Sequence, residues 1–176
     1  TMLRTWFERI PTATWRAFLG ASAEKRTGHA AIDSTGFDRD QPSRHYANRT
    51  NYPVRALEVT ALVNVETLYI TDIHSTTSKK HDAKIGPQVA WRNAGDLRSL
   101  AADRGYDAKA FRDELRDNGI RPLIKHRIMN PLDHAHNARM DGDRYHQRSM
   151  SETVFSSIKR TLGSAVRARS WWLEFR

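Results

Sequence analysis

The 176-residue chain is 39 % hydrophobic and 28 % charged, the balance of one soluble globular domain with a single core, not of a disordered or membrane-embedded chain. It has no cysteine, which excludes disulfide frameworks, thiolate zinc centres and cysteine nucleophiles and fits an intracellular protein. With 29 Lys+Arg against 20 Asp+Glu, its net charge of +9 favours polyanionic partners, nucleic acid first among them.

In chain order, residues 3–24 space Leu3, Trp6, Phe7, Ile10, Trp15, Phe18 and Leu19 by threes and fours, with Pro11 interrupting. Two short helices are expected there, a helical lead-in over 1–27, and no signal peptide. His29-Ala-Ala-Ile-Asp33 reads as a buried strand running into a Ser34-Thr35-Gly36 turn, and the polar stretch 37–53 as a loop. That loop mixes arginines with Tyr46 and Tyr52, so DNA contact and ordinary exposure are equally open for it. Leu57–Val63 and Leu68–Ile73 are β-rich and joined closely enough for a hairpin. A helix over 82–91 follows, then Leu100-Ala-Ala-Asp103, a second apolar run ending in an acid. A helix from about 107 to 118, stopped by Gly119, precedes a short strand over 121–125. Residues 126–143 read as a polar loop, and a long amphipathic helix runs from Tyr145 or Ser149 to about Gly163. No run of about eighteen apolar residues exists, so no transmembrane helix is expected.

The order β, β, β, α, β, α, β, α predicts an α/β domain over 28–176. Its mixed five-stranded sheet has three antiparallel strands and then two reached by helical crossovers. Asp33 and Asp103 each close an apolar strand, where a carboxylate needs a cation, a hydrogen-bond cage or a capping role. Either alone is an ordinary turn residue, but two on neighbouring strand ends point to a ligand site.

On the last helix, Tyr145, Arg148, Glu152 and Lys159 have offsets of 0, 3, 7 and 14, within about 60° of one another on a continuous helix. Val154, Phe155, Ile158, Leu162 and Ala165 form the adjoining stripe that faces the core. The bland alternative, an Arg148–Glu152 surface pair, accounts for two of the four polar residues. Three carboxylates converging from two strand ends and a helix suit hard cations such as Mg²⁺ or Mn²⁺, two of which serve phosphoryl transfer. Around that acidic pocket the surface is basic, most densely from Arg144 to Arg176, with seven basic residues against Glu152 and Glu174.

Tyr145-x2-Arg148-x3-Glu152-x6-Lys159 resembles the Y-x2-R-x3-E-x6-K signature of insertion-sequence DDE transposases, the specific part of the likeness. Ala31-Ile-Asp33-Ser-Thr and Ala102-Asp103-Arg-Gly-Tyr106 are similar to that family's first and second acid motifs, weaker by themselves. The resemblance covers residues 28–176 and implies a ribonuclease-H-like fold with a catalytic, metal-holding triad of Asp33, Asp103 and Glu152 and two Mg²⁺ or Mn²⁺ ions. It implies DNA contacts by Tyr145, Arg148 and Lys159, to which the flanking basic residues Arg104 and Arg160 are added. Cut-and-paste cleavage of transposon ends with strand transfer of the 3′-hydroxyl follows, by a homodimer on double-stranded DNA in the nucleoid of a prokaryotic cytoplasm, with no membrane partner. Family members usually continue past the Trp171-Trp172 region with another apolar helix, so a shortened C-terminus is expected. A nuclease that only hydrolyses, and an inactive DNA-binding remnant, stay open as alternatives. Zinc on His126, His134, His136 and His146 is a minor candidate without conventional ligand spacing. Trp171-Trp172 is either a base-stacking pair or a core anchor.

Overall fold

The computed structural model describes residues 2–23, 28–39, 56–77, 80–167 and 171–175. The Arg39–Tyr52 loop, apart from Arg39 itself, and the Trp171 and Trp172 side chains lie outside what is described. Helices α1 (Met2–Arg9) and α2 (Thr12–Ser22) flank Pro11 as expected, and the Phe7 and Trp15 rings stack across the break at 4.9 Å. The sheet is built from β1 (His29–Arg39), β2 (Leu57–Asn64), β3 (Ile70–Thr76), β4 (Ser99–Ala102) and β5 (Arg121–Ile124). Their spatial order is β3-β2-β1-β4-β5. The β1–β2 and β2–β3 pairs are antiparallel, and the β1–β4 and β4–β5 pairs are parallel.

Each parallel strand is reached through a helix: α3 (Asp82–Arg92) before β4, and α4 (Lys109–Asp117) between β4 and β5. Gly119, at φ +72°, ends α4 where an L side chain would be strained. The mixed sheet is as expected, but it carries a sixth strand, β6 (Ala165–Val166), two residues parallel to β1 at Asp38 and Arg39. So short a strand leaves no periodicity to read.

Three further expectations are corrected. Ser34, Thr35 and Gly36 are not a turn: β1 runs on for eleven residues because β2 pairs it from Ala30 through Phe37. The stretch 126–143 is not all loop. It folds α5 (Pro131–Ala138), started by an Asn130–Asp133 capping box with Pro131 in the first turn, and the beginning of α6 (Gly142–His146). The last long helix is also not continuous from Tyr145. Tyr145 sits on α6, and α7 (Ser149–Leu162) begins after a tight link in which Arg148 N donates to Tyr145 O at 3.2 Å.

The sheet divides two cores. Ile32, Leu100, Ala102 and Leu62 pack with α3, α4 and Tyr106 on one side. Phe37, Val59, Ala61 and Val63 pack with Phe155 of α7 on the other, where Val154 and Ile158 join them. Leu162, expected on that stripe, is 79 % exposed, and Ala165 belongs to β6. The chain ends in the short helix α8 (Trp171–Glu174), where Glu174 pairs with Arg39 Nε at 2.8 Å. No helix among the described residues is long and apolar enough to cross a membrane.

Candidate active site

The parallel ladder between β1 and β4 stops at the Ile32–Ala102 pair, so Asp33 and Asp103 are the next residues on neighbouring strands. The two-residue period of a strand sets Asp33, Thr35 and Phe37 on the face that α7 covers, and Ser34 on the other. Asp103, still extended at φ −75° and ψ 178°, caps a 3₁₀ turn over Arg104–Tyr106, its carboxylate accepting from Gly105 N at 2.7 Å. The capping role weighed in sequence is thus realised at Asp103.

That turn is tied back to β1. Tyr106 is fully buried, and its hydroxyl lies 2.9 Å from Ser34 Oγ, itself 2.7 Å from Thr60 Oγ1 on β2. Burial drives the Tyr106 phenol far above its ordinary pKa, so it remains a neutral hydrogen-bonding group. The chain Tyr106–Ser34–Thr60 fixes the loop after Asp103 against the strand that carries Asp33.

Asp33 is half-buried and accepts from Ser34 N at 2.8 Å. Its carboxyl is pushed up to about 6, chiefly by burial, with the negative fields of Asp103, Glu152 and Asp82 adding to the rise. The three acids read from sequence therefore share one field. Asp82, in the first turn of α3, is a fourth member that sequence reasoning missed. A Cβ on Gly105 would stand 2.8 Å from Asp103 Oδ1 and 3.0 Å from Asp82 Oδ2, so both carboxylates press on that glycine. The only signal for Asp82 in sequence was its place at a predicted helix start, which Asp often occupies for other reasons.

Glu152 is exposed on α7, and its Oε1 accepts from Arg148 Nη1 at 2.8 Å. Among the described residues no three His, Asp or Glu side chains are drawn tightly enough together to hold an ion. The acids are thus neighbours in field but not a closed ligand shell, as mutual repulsion and the Arg148 pair dictate. Tyr145 is buried beneath Lys125, whose Nζ is 4.4 Å from the ring centroid, and Arg148 lies 5.6 Å from it. Asp103, Arg104, Lys125, Tyr145, His146 and Arg148 line one cleft. Lys159 crosses from α7 to donate to Thr35 Oγ1 at 2.7 Å, while Arg160 is exposed on a neighbouring groove. Of the zinc candidates, His126 and His136 stack at 3.7 Å, and His134 and His146 are exposed outside that pair.

A mixed sheet with carboxylates at the end of its central parallel pair, beside a basic and aromatic cleft, defines the class as an α/β domain with an acidic site at its strand ends. The family model described as "Transposase DDE domain" matches residues 24–176. The chain belongs to that family, the DDE transposases of insertion sequences, whose domain has a ribonuclease-H-like fold, and whose members act on DNA with divalent metal ions. No curated protein matches the chain. In chemistry the donors suit such an ion, since all are carboxylate oxygens and two of them follow the last pair of the parallel ladder between β1 and β4.

Proposed function

We propose that this domain cuts DNA at the ends of an insertion element and joins the freed 3′-hydroxyl to target DNA, with Asp33, Asp103 and Glu152 holding two Mg²⁺ or Mn²⁺ ions. The observation that carries this reading is the placement of Asp33 and Asp103 side by side, each the next residue after the Ile32–Ala102 pair that ends the parallel ladder. When bound, the ions supply Lewis acidity to the attacking oxygen and to the leaving one. The chain's own residues do the rest. Asp33 and Asp103 present oxygens from two strands locked in register, and the Tyr106–Ser34–Thr60 bonds keep that spacing. Glu152 comes from a separate helix, and its carboxylate, now paired with Arg148, would be the third to hold the ions.

Tyr145, Arg148, Lys159, Arg104 and Arg160 hold backbone phosphates around the site. Arg148 and Lys159 do so by leaving Glu152 and Thr35, which keeps them positioned before DNA arrives. Two copies of the chain act together on paired ends, as the family resemblance implies.

The test is cleavage and joining of element-end DNA in Mg²⁺ or Mn²⁺. Asp33→Asn, Asp103→Asn and Glu152→Gln keep shape and remove the charge that holds the ions. Each abolishes both steps while DNA binding persists. Ca²⁺ supports binding with little turnover because its longer, looser coordination does not hold the in-line geometry. Near-normal cleavage by any of the three variants would remove that acid from the ligand set. Cleavage without joining would leave a hydrolytic nuclease instead.

A further inference from the structure

Asp107 closes the turn over Arg104–Tyr106 that begins at Asp103. Its side chain is 11 % exposed and ion-paired with Arg112 of α4, whose side chain is 10 % exposed. An aspartate just ahead of a helix most often caps the first turn. Asp107 does not: Ala108 opens α4 with no side-chain cap, and the Asp107 oxygens go elsewhere. Oδ1 meets the Arg112 guanidinium, and Oδ2 accepts from Arg127 N at 2.6 Å.

Arg127 lies on the exit from the neighbouring strand. β4 and β5 pair in parallel up to Ala102 and Ile124, where their ladder ends. Asp103 is the next residue on one side, and Arg127 follows a little further along the other. The bond from Arg127 N to Asp107 rejoins the two segments. Arg127 Nε adds a second tie, donating to Arg104 O at 3.1 Å, an oxygen that also accepts from Asp107 N at 3.2 Å. Asp103 therefore sits between two fastenings, the Ala102–Ile124 pair before it and the Asp107–Arg127 bonds after it.

The turn between them works against a load. Asp103 Oδ1 and Asp82 Oδ2 crowd the same space beside Gly105, 2.8 and 3.0 Å from where a Cβ would stand. Like charges at that closeness repel, which drives the turn away from α3. The Asp103 carboxylate is itself oriented by Gly105 N at 2.7 Å, so any shift of the turn carries the carboxylate with it.

We infer that Asp107 and Arg127 are positioning residues for Asp103: together they fasten its turn to the exit of β5 and hold its carboxylate where a divalent cation meets it. This rests on the proposed role of Asp103 as a metal ligand, and on nothing in the joining step. Electrostatics alone predicts the opposite sign at Arg127. Removing a cation beside an acidic site tightens the binding of a divalent ion, whereas loosening the support of a ligand weakens it.

The test reads Mn²⁺ affinity of the full chain by water-proton relaxation, without DNA. Asp107→Ala should weaken Mn²⁺ binding but also lower the thermal midpoint, because it strands the buried Arg112. Arg127 is exposed, so its variants separate position from folding. Arg127→Ala should melt close to wild type yet bind Mn²⁺ about tenfold more weakly, at the lower end of the range for lost supports of metal ligands. Arg127→Gln should bind at least as tightly as wild type, because its side-chain nitrogen is as many bonds from the backbone as Arg Nε and can donate to Arg104 O. Arg127→Lys keeps the charge but sets its donor one atom further out, and should resemble Arg127→Ala. In an Asp103→Asn background, Arg127→Ala should cost no further affinity, since the ligand it positions is gone. Unchanged Mn²⁺ affinity in Arg127→Ala, or an additive loss in that double variant, would overturn the positioning role and leave Asp103 a ligand. Rescue by lysine and not by glutamine, with a shallower salt slope of DNA binding in Arg127→Ala, would make Arg127 a phosphate contact instead. Wild-type Mn²⁺ affinity in Asp103→Asn alone would remove Asp103 from the ligand set, and the positioning role with it.

Discussion

Two aspartates on the same sheet, Asp72 on β3 and Asp33 on β1, stand in opposite surroundings. Asp72 is 4 % exposed and fully caged: Arg92 Nε and Asn93 Nδ2 each donate to Oδ2 at 2.8 Å, and Ile73 N donates to Oδ1 at 2.7 Å. Asp33 has a single backbone donor and lies in the field of three other carboxylates. A buried charge that holds structure together is matched by donors of its own chain, whereas Asp33 accepts from one backbone N–H, which under the proposed function leaves oxygens for a cation. Mutations should separate the two kinds of acid cleanly. Asp72→Ala should cost about 1–3 kcal/mol, because it removes the acceptor that Arg92 Nε and Asn93 Nδ2 share and leaves them only Ile73 O and Val89 O. Urea denaturation measures that loss, and a cost under about 1 kcal/mol would show that the cage does not hold the sheet edge.

Gly105 marks where the comparison is most sensitive to geometry. Gly105→Ala would place a methyl group 2.8 Å from Asp103 Oδ1 and 3.0 Å from Asp82 Oδ2, driving the two carboxylates apart. Stability should change little, since the site is at the surface of the sheet end. Mn²⁺ affinity and cleavage rate should each fall by about 10–100-fold, the range for displaced supports of metal ligands. Wild-type Mn²⁺ affinity in Gly105→Ala would mean that Asp103 does not bind through that oxygen.

Both acids of the strand pair were legible in sequence, because an apolar run ending in Asp before small residues is a local pattern. So were the mixed sheet, which follows from the order of strand and helix patterns, and the hairpin, which follows from the short polar connection. Residues 126–143 were not, because α5 buries no side chain and offers no apolar period; its signal was the Asn130-Pro131-x-Asp133 start. The one-face alignment of Tyr145, Arg148, Glu152 and Lys159 assumed an unbroken helix. The link at Gln147–Arg148 breaks it, yet Tyr145 and Arg148 still meet through ring contact. Asp82 was hidden because its closeness to Asp103 is tertiary, made by packing α3 against the turn over 104–106. Asp72 was passed over for the same reason, its partners arriving from α3 and the residue after it.

Asp33 should also show itself without any substrate. Its folded-state pKa of about 6 lies above the ordinary 3.8, so the folded protein binds this proton more tightly than the unfolded chain does. The cost of ionising it in the fold is absent below about pH 4, grows up to about pH 6 and is constant above, so this group makes stability fall as pH rises through that window. Asp33→Asn should accordingly stabilise the metal-free protein at pH 7 by about 1–2 kcal/mol, the shift being discounted for the carboxyl's partial exposure. The gain should vanish near pH 4. Mg²⁺ should raise the melting temperature of wild type and not of the variant. A destabilising Asp33→Asn at pH 7 would place Asp33 with Asp72 as a structural acid.

The smallest effect belongs to Asp82, whose part is to deepen the field without being assigned as a ligand. Its charge is felt at Asp33 and at the Tyr106 phenol, after burial in both cases, and its oxygen shares the Gly105 contact with Asp103. Replacing it by asparagine keeps the shape of the first turn of α3 and removes one negative charge beside the cation site. A unit charge about 8 Å from a divalent ion, outside its ligand shell, is worth about 1 kcal/mol in water, so Mn²⁺ affinity should fall by about fivefold. Saturating Mn²⁺ should restore the cleavage rate, because the ligand oxygens themselves are untouched. The Asp33 carboxyl should titrate at lower pH in Asp82→Asn, observable by NMR of a ¹³C-labelled side chain, since one of the like charges that raises it is gone. If Asp82→Asn instead abolished cleavage at every Mn²⁺ concentration, Asp82 would be a direct ligand and the site would hold its ions with four acids.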